Sequence, residues 1–588
     1  MLLLLGIHAA AASERAIERV PMDAVGVLTF KNLEASDGRL TKLIQTLNPR
    51  FEGLPLADLE ATLGFAPGTI DLSKRLTLIF LHPDEVTEFT QGTGINDVAP
   101  FPVIAFTPKQ TDGSAGFEDS PDRRIRSRQG TWCEYSYFVD DNTVFVSNRR
   151  RALRTILRTD KAQSLAAQLN VETRAVWDSC DLAAHIPMSP WRNRIAPYVA
   201  MAGNLIKLGA MAQQVPERMD EYQRILNWLV GSSTDVINQV SATTIAVQLD
   251  GEHVRLHHLH EFDRNRWFAD YLANVRRGGG RAFAAFPDRP FLVVGYSDWR
   301  CPPQDSMTHR VMEQVVELPS VKRRFSEKTR SQLLEASLQS VDRLSFAEFM
   351  VCNTSPSLMP FEIYGSYLTA NPSEAMETYI ALYQHSNELL SFVSAGGPGF
   401  PGQFTRIRVN GIDIREMKFD EAGAPEHLIQ QVKQAYGESV VFQLATDGKD
   451  HLIYSIGRPE SGVHKLIEAR SSGRSIEKNP RVDEVRRLLP ADSNVLIITD
   501  LGRLIESART FVGMPPHADI EASSRKDAPP TADKHPNSPE TPASLLAGWS
   551  CAARKNVLCG QLVIRADALC RIFAGSASAH DKAPLRAP

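Results

Sequence analysis

The sequence predicts an α+β fold in which repeated modules of antiparallel strands and hairpins pack with helices. Three observations predict it: hairpin turns between apolar runs, helical periodicity between the hairpins, and a strand-opening pattern that occurs three times. Hairpins, single strands and helices mixed in this order are typical of α+β proteins rather than of alternating βαβ units.

The strand-opening pattern consists of a proline, a nearby aspartate, an apolar run and a final Asn or Asp. The copies begin at Pro21, Pro287 and Pro490, with Asp23, Asp288 and Asp492 close behind. Proline suits the residue before a strand because it donates no hydrogen bond. An apolar run without strict alternation predicts a strand covered on both faces. The aspartates are predicted to form turns rather than to bind a cation.

Five hairpins and several helices follow from local signals. Asp-Gly or Asn-Gly between apolar runs predicts hairpins around Gly251, Gly411 and Gly448, and a polar turn at 140–142 predicts another. A closing hairpin is predicted at 545–552 and 557–564. Helical spacing predicts helices from about 149, over 190–240, over 306–341, from a cap at Ser373, and over 501–511. Residues 176–186 are predicted to form a strand.

A chain of 588 residues is too long for one core and implies several domains. The predicted organisation is module 1 at 13–277, module 2 at 281–480, and module 3 at 481–514 with 543–575. Residues 515–542 are rich in Pro, Ala, Ser, Asp and Lys and predict a disordered linker, and 576–588 predict a disordered tail.

The N-terminal residues 1–12 combine a short apolar segment with small residues, as at the end of a secretory signal. The basic beginning of such a signal is missing, so the segment is interpreted as degenerate or truncated. Export to the periplasm or cell envelope is predicted, with a frayed apolar terminus as the alternative. No transmembrane span is predicted, because the best segment, 196–212, contains Pro197 and Lys207.

The charge balance argues against a dedicated nucleic-acid binder. Lys and Arg number 65 against 69 Asp and Glu, a net charge of −4. Basic clusters occur at 123–128, 149–151 and 322–324. A solvated face is the favoured interpretation of each cluster, with phosphate binding as the alternative.

Seven cysteines occur without a CxxC pair, so structural zinc has no support. Cys551 and Cys559 could form a disulfide across a hairpin, although buried thiols are an equal alternative. Cys180 is predicted to be a small buried residue in the strand at 176–186.

The densest titratable cluster is on one predicted strand. It comprises His253, His257, His258 and His260, with Glu252, Glu261 and Asp263 nearby. Two histidines at i and i+2 can chelate zinc or copper. Strand histidines without an enzymatic role are nevertheless favoured, so no metal site and no cofactor are predicted.

Motifs for known chemistry are missing from the sequence. There is no Gly-x-Ser-x-Gly elbow, no His-Glu-x-x-His, no P-loop and no dinucleotide fingerprint. A pair of carboxylates that meet only in the fold stays open. The catalytic residues, if there are any, are therefore unknown.

The order of opening strand, helical middle and closing hairpin resembles a group of large exported bacterial proteins, common in planctomycetes, of unknown function. The resemblance depends on the Pro-Asp strand openings, on Leu59–Leu78 and on the turn-strand-helix units at 141–157 and 447–467. It implies no catalytic residues. The predicted function is a non-catalytic scaffold or a binding protein for an apolar ligand or an envelope partner. The alternative is a hydrolase whose active site lies between modules.

Overall fold

The structure is a computed structural model of the chain. It describes residues 16–47, 60–82 (except 62 and 64), 102–109, 125–129, 134–140, 142–211, 219–278, 283–302 (except 285), 306–344, 346–353, 361–393, 403–419, 440–458, 462–511 and 545–566, with 421, 426, 429, 430, 432, 433 and 568. The predicted linker at 515–542 and the tail at 576–588 lie outside the described residues, as does the segment at 1–12.

The chain divides into two compact units. Unit 1 comprises residues 1–200, 236–266 and 557–588, and unit 2 comprises 201–235 and 267–556. The predicted end of module 1 at 277 lies close to the passage between the units at 266/267. The predicted third module is divided, because its residues up to 556 belong to unit 2 and those from 557 belong to unit 1.

The strands of unit 1 form one antiparallel sheet in the order β4-β5-β6-β3-β2-β1-β7-β8-β9-β19. The last strand of the chain therefore completes the sheet of the first unit, pairing along β9 from Val557 to Arg565. The strands are β1 Gly26–Phe30, β2 Leu76–Phe80, β3 Pro102–Phe106, β4 Arg126–Gln129, β5 Glu134–Asp140, β6 Thr143–Ser147, β7 Leu182–Pro187, β8 Val240–Leu249, β9 His253–Phe262 and β19 Val557–Arg565.

The strands of unit 2 form an antiparallel sheet in the order β13-β14-β15-β16-β12-β11-β10-β17-β18. They are β10 Val293–Asp298, β11 Phe346–Asn353, β12 Phe361–Leu368, β13 Thr405–Val409, β14 Ile412–Lys418, β15 Val441–Thr446, β16 His451–Gly457, β17 Val495–Asp500 and β18 Leu546–Arg554.

Helices separate the strands along the chain. They are α1 Leu33–Leu47, α2 Arg150–Arg158, α3 Leu165–Gln168, α4 Val171–Ser179, α5 Arg192–Met211, α6 Met219–Asn238, α7 Trp267–Asn274, α8 Met307–Val316, α9 Pro319–Arg324, α10 Glu327–Leu344, α11 Pro372–Val393, α12 His464–Ser472, α13 Pro480–Leu488 and α14 Leu501–Phe511. This mixture of helices and antiparallel sheets confirms the predicted α+β class. None of the helices within the described residues is long and apolar enough to cross a membrane.

The sheet of unit 1 is covered on both faces. Phe145 belongs to a core that contains Trp177 and Leu153. Its neighbours Val144 and Val146 belong to a second core with Phe65. Successive side chains of a strand point to opposite faces, so the two cores lie on opposite sides of β6. This explains why the strands contain continuous apolar runs.

Two local predictions are wrong. Residues 176–179 end a helix instead of beginning a strand, and β7 starts only at Leu182. The Asn170 side chain accepts the N–H of Thr173 at 2.8 Å, which caps this helix. The predicted cap at Ser373 is also wrong, because the Asn371 side chain accepts the N–H of Glu374, the third residue of α11.

Candidate functional site

The four histidines lie on β9 as predicted, but the structure does not assemble them around a common centre. The rings of His258 and His260 are 5.5 Å apart between centroids. Nδ1 of His260 lies 3.2 Å from the hydroxyl of Thr243 on β8. His253 lies beside the Asp250 carboxylate, with Nδ1 at 3.5 Å from Oδ1. Within the described residues, no three His, Cys, Asp or Glu side chains converge as a metal site would require.

Burial favours the neutral form of three of these histidines, His257, His258 and His260. It lowers the pKa of His257 to about 4, with repulsion from Arg255 and His258 acting in the same direction. Burial also lowers the pKa of His258 and of His260. His185 on β7 was not singled out by the sequence, and burial lowers its pKa to about 4. A base of such low pKa accepts a proton poorly at neutral pH.

The acidic residues near the histidines have structural partners. The Thr173 hydroxyl donates to Glu261 Oε1 at 2.6 Å. Asp263 forms an ion pair with Arg192 at 3.0 Å. These contacts fix β9 to the helices α4 and α5, which is a sufficient role for both carboxylates.

Burial favours the protonated form of three thiols. Burial raises the pKa of Cys180 to about 11, of Cys352 to about 12 and of Cys551 to about 11. A thiol of this pKa is almost entirely protonated at neutral pH, whereas the thiolate is the nucleophile. Cys551 is a free thiol, so the structure has the buried-thiol alternative and not the Cys551–Cys559 disulfide. Cys180 ends α4 instead of lying in a strand.

A buried polar network in unit 2 was missed by sequence reasoning. Nη1 of Arg289 lies 2.8 Å from Glu362 Oε2 and donates to the hydroxyl of Tyr364 at 2.9 Å. The same hydroxyl donates to Glu362 at 3.0 Å. Burial raises the pKa of Tyr364, so the phenol stays protonated. Glu362 and Tyr364 lie two residues apart on β12, whereas Arg289 comes from the segment before β10. The pairing of β11 with both β10 and β12 brings that segment close to β12, and no local motif marks the contact.

Glu348 on β11 is a described carboxylate whose pKa burial shifts strongly. Burial raises its pKa to about 7, while the bond from the Phe283 N–H acts in the opposite direction. That N–H lies 2.9 Å from Oε1. A carboxyl of pKa near 7 has the acidity of a general acid or base. The side chain is only 2% exposed, however, so no substrate can approach it in this conformation.

One of the predicted basic clusters, at 149–151, lines a cavity in unit 1, to which the cluster at 123–128 contributes a serine. The cavity has a volume of about 310 Å³ and is lined by Ser127, Glu134, Ser136, Asn148 and Arg149, Arg150 and Arg151. We call it the serine–arginine cavity. Ser127 comes from the cluster at 123–128, and the three arginines form the cluster at 149–151. The pairing of β4 with β5, and of β5 with β6, brings them together. Arg126 and Arg128 do not line the cavity, and residues 123 and 124 lie outside the described residues.

Comparison with known proteins identifies no family. No protein-family model matches the chain, and no curated protein matches it. The resemblance to planctomycete proteins therefore stays a prediction.

Among solved structures, crystal form I of TP0453 is 10% identical and has a TM-score of 0.19, covering 45% of this chain and 86% of that chain. Crystal form III is 9% identical with a TM-score of 0.20, covering 50% of this chain and 99% of that chain. Crystal form IV is 11% identical with a TM-score of 0.18, covering 52% and 98%. Likeness at this level carries no argument about fold or function.

Proposed function

We propose that the chain is a non-catalytic binding protein of the periplasm or cell envelope, built from two versions of one α+β module. The observation that carries the proposal is the direction in which burial shifts the titratable groups. Among the described residues with resolved shifts, the buried thiols and phenols are held protonated and the buried histidines neutral. A catalytic thiol needs a lowered pKa and a catalytic histidine a pKa closer to 7, which is the opposite direction. The pKa of Glu348 is raised into the range of a general acid or base, but this carboxyl is buried away from any substrate.

The order of the strands supports the two-module part of the proposal. Eight strands of unit 1 follow the order β4-β5-β6-β3-β2-β1-β7-β8, and eight of unit 2 follow β14-β15-β16-β12-β11-β10-β17-β18. In both, the first strand of the unit lies between its successor and the strand that follows the helices. An independent origin of two such sheets in one chain is a less economical explanation than one ancestral module.

Local features support it as well. The helices α2 and α4 of unit 1 have nine residues each, as do α12 and α13 of unit 2. Asn170 caps α4 and Asn479 caps α13, each through its side-chain oxygen. Pro21 forms an isolated bridge with Ser164, and Pro287 forms one with Ser475. In this correspondence the third opening, at Pro490, precedes β17 and does not begin a third module.

A hydrogen-bonding pattern that the two units share supports the correspondence further. The N–H of Asp181 donates to Val247 and that of Asn494 donates to Cys551, each on the following strand. The Asp181 side chain accepts the N–H of Leu249 at 2.8 Å. The Asn494 side chain accepts the N–H of Ala553 at 2.8 Å. The same bond therefore connects the same strands in both units.

The envelope location depends on the N-terminal segment alone. Expression in the native cells with a C-terminal tag, followed by fractionation and N-terminal sequencing, tests it. We expect the protein in the periplasmic or envelope fraction with a mature terminus close to Ser13. A full-length chain in the cytosolic fraction would contradict export.

Native mass spectrometry on protein from its own cells, with organic extraction of a parallel sample, tests the binding function. We expect an adduct that denaturation removes, and no turnover in esterase, phosphatase and peptidase screens. Turnover that survives further purification would favour the hydrolase alternative. A native mass equal to that of the chain without any adduct would contradict a tightly bound ligand.

A further inference from the structure

The serine–arginine cavity combines polar side chains with the start of a helix. Ser127 on β4 is the cross-strand partner of Ser136 on β5, which in turn faces Ser147 on β6. Only two residues, Asn148 and Arg149, separate the end of β6 from Arg150, the first residue of α2. The hairpin register and this short connection together place two serines opposite three consecutive arginines. The volume, about 310 Å³, is at the lower end of the range for small-molecule sites.

The start of α2 is electrostatically unusual. Arg149 is the N-cap and makes no side-chain capping hydrogen bond, and no acidic residue lies in the first turn. The N-terminus of a helix carries a partial positive charge and several unpaired N–H groups. Arginines at this end repel that charge, whereas acidic or hydroxyl side chains would be stabilising. Sequences often depart from a local preference of this kind at functional sites. A bound anion would offset the repulsion between the arginines and the helix N-terminus.

Ser136 is an independent sign of a ligand. Its side chain lines the cavity although the residue is only 8% exposed. Among the hydrogen bonds of the described residues, none involves its hydroxyl. The hydroxyl is not among the fully buried polar atoms that lack a partner, so it is accessible from the cavity, where water or a ligand can bond to it.

In unit 2, hydrogen-bonded side chains occupy the position that corresponds to the cavity. Glu416, Gln443 and Ser455 face one another across β14, β15 and β16, in the positions of Ser127, Ser136 and Ser147. Gln443 donates to Glu416 Oε2 at 2.7 Å. The N–H of Val463, directly before α12, donates to Gln443 Oε1 at 3.1 Å. Unit 2 thus supplies its own carboxylate where unit 1 has small serines, arginines and a cavity.

From these observations we propose that the serine–arginine cavity binds the phosphoryl group of a phosphate monoester. This inference deepens the proposed function, because the comparison with Glu416 rests on the correspondence between the units. Three guanidinium groups and the Glu134 carboxylate give the lining a formal charge of +2, which matches a monoester dianion. Arginine binds phosphate through paired, charge-assisted hydrogen bonds, and helix N–H groups add donors. The Ser127 and Ser136 hydroxyls complete the set of donors.

Calorimetric titration of the full-length protein with phenyl phosphate, and separately with inorganic phosphate, tests the proposal. We expect one site that weakens as salt is raised. Arg150→Ala should weaken binding of phenyl phosphate about tenfold or more, since a charge-assisted bond is lost. Arg154→Ala removes the same charge from the exposed face of α2 outside the cavity, and is expected to bind like the parent. Ser136→Gln, which introduces the amide found at Gln443, should abolish binding.

The variants also distinguish the outcomes. Arg150 is exposed, so Arg150→Ala is expected to keep the parent's far-UV circular dichroism and unfolding midpoint even if Ser136→Gln does not fold. Absence of binding, or equal weakening by Arg150→Ala and Arg154→Ala, would overturn the cavity as a phosphate site. Release of phosphate that requires Arg150 would keep the site and overturn the non-catalytic function instead. If neither binding nor turnover is seen, the phosphate site is overturned and the proposed non-catalytic function is not affected.

Vesicle binding distinguishes a lipid headgroup from a soluble ester as the source of the monoester. Phosphatidylcholine vesicles that contain phosphatidic acid present the same phosphoryl group on a lipid. Binding of these vesicles that Arg150→Ala removes would assign a lipid headgroup, and binding of phenyl phosphate alone would assign a soluble ester. Binding of neither probe contradicts the proposal.

Discussion

Asn494 forms hydrogen bonds with three separate segments of unit 2 through both polar atoms of its side chain. Its Nδ2 donates to the carbonyls of Arg276 at 2.7 Å and Asp298 at 2.9 Å. Its Oδ1 accepts the N–H of Ala553. The residue is fully buried, so each of these backbone groups would lose its partner if the side chain were removed. Asp181 occupies the matching position in unit 1 but pairs with Arg39 at 2.7 Å.

We therefore expect Asn494→Ala to destabilise the protein by about 3 kcal/mol, because buried backbone groups are left unpaired. Asn494→Asp should cost at least as much, because it removes both donors and adds a buried charge without an arginine partner. Urea unfolding followed by circular dichroism measures both. Asp181→Asn is the matched control, since it keeps the acceptor for Leu249 and loses only a half-exposed ion pair. Equal losses for the control and Asn494→Asp would contradict the account.

Glu348 is a second single-residue determinant of stability. Burial raises its pKa in the folded state from 4.5 to about 7. The folded state therefore binds the proton more tightly than the unfolded state, and stability falls as the pH rises from about 4.5 to 7.

Glu348→Gln should remove this loss, because the amide is neutral and its oxygen can still accept the Phe283 N–H. The free energy of unfolding of the variant, relative to the parent, should rise by up to about 3 kcal/mol between pH 5 and pH 8. Chemical denaturation at several pH values measures it, with the exposed Glu335→Gln as control. A difference between variant and parent that is independent of pH would show that Glu348 is not protonated in the folded state.

At the scale of elements, the sequence predicts what local chemistry decides. The hairpins around Gly251, Gly411 and Gly448 form as predicted, because these glycines adopt φ of +92°, +82° and +75°. The strand predicted over 176–179 is a helix because the capping side chain, Asn170, outweighs an ambiguous apolar pattern. Short apolar runs do not separate strand from helix by periodicity alone.

The candidate site was predictable only in part. The cluster at 149–151 and the helix behind it follow from the sequence, but β4 does not, because its four residues alternate polar side chains without an apolar run. The pairing of Ser127 with Ser136 and the burial of Ser136 depend on the sheet as a whole. The contact of Arg289 with Glu362 likewise depends on the pairing of β10, β11 and β12. No spacing along the chain marks contacts of this kind.

The docking of β19 on β9 gives a prediction at this scale. Gly560 faces His258 across the pair, and a Cβ at Gly560 would lie 2.0 Å from the imidazole ring. Gly560→Ala should therefore destabilise unit 1 by about 1–3 kcal/mol through overpacking. His258→Ala in the same chain should restore most of the loss, and the two single variants with the double variant form a thermodynamic cycle. Additive effects would mean that the ring does not pack over Gly560.

At the scale of the molecule, the chain passes between the two units four times. Unit 2 is interrupted by residues 236–266, and the last passage, at 556/557, returns the chain to unit 1. The first unit is consequently completed only when the last strand has been made. Contacts between positions so far apart in sequence carry a large entropy of loop closure and are expected to form late in folding.

Deletion of residues 557–588 should therefore weaken the rest of unit 1, although these residues lie almost 300 positions after its preceding segment, 236–266. β9 would lose a partner along nine residues, from His253 to Glu261, and the Glu252 carbonyl would lose the N–H of Ala566. Hydrogen exchange with mass spectrometry should show faster exchange in peptides from β8 and β9, while peptides from β15 and β16 keep their protection. Deletion of 569–588 alone, which keeps β19, is the control and should leave both sets unchanged. Faster exchange in β15 and β16 to the same degree as in β9 would mean that the two units unfold as one cooperative body. Unchanged exchange in β9 would mean that β19 does not stabilise the first sheet.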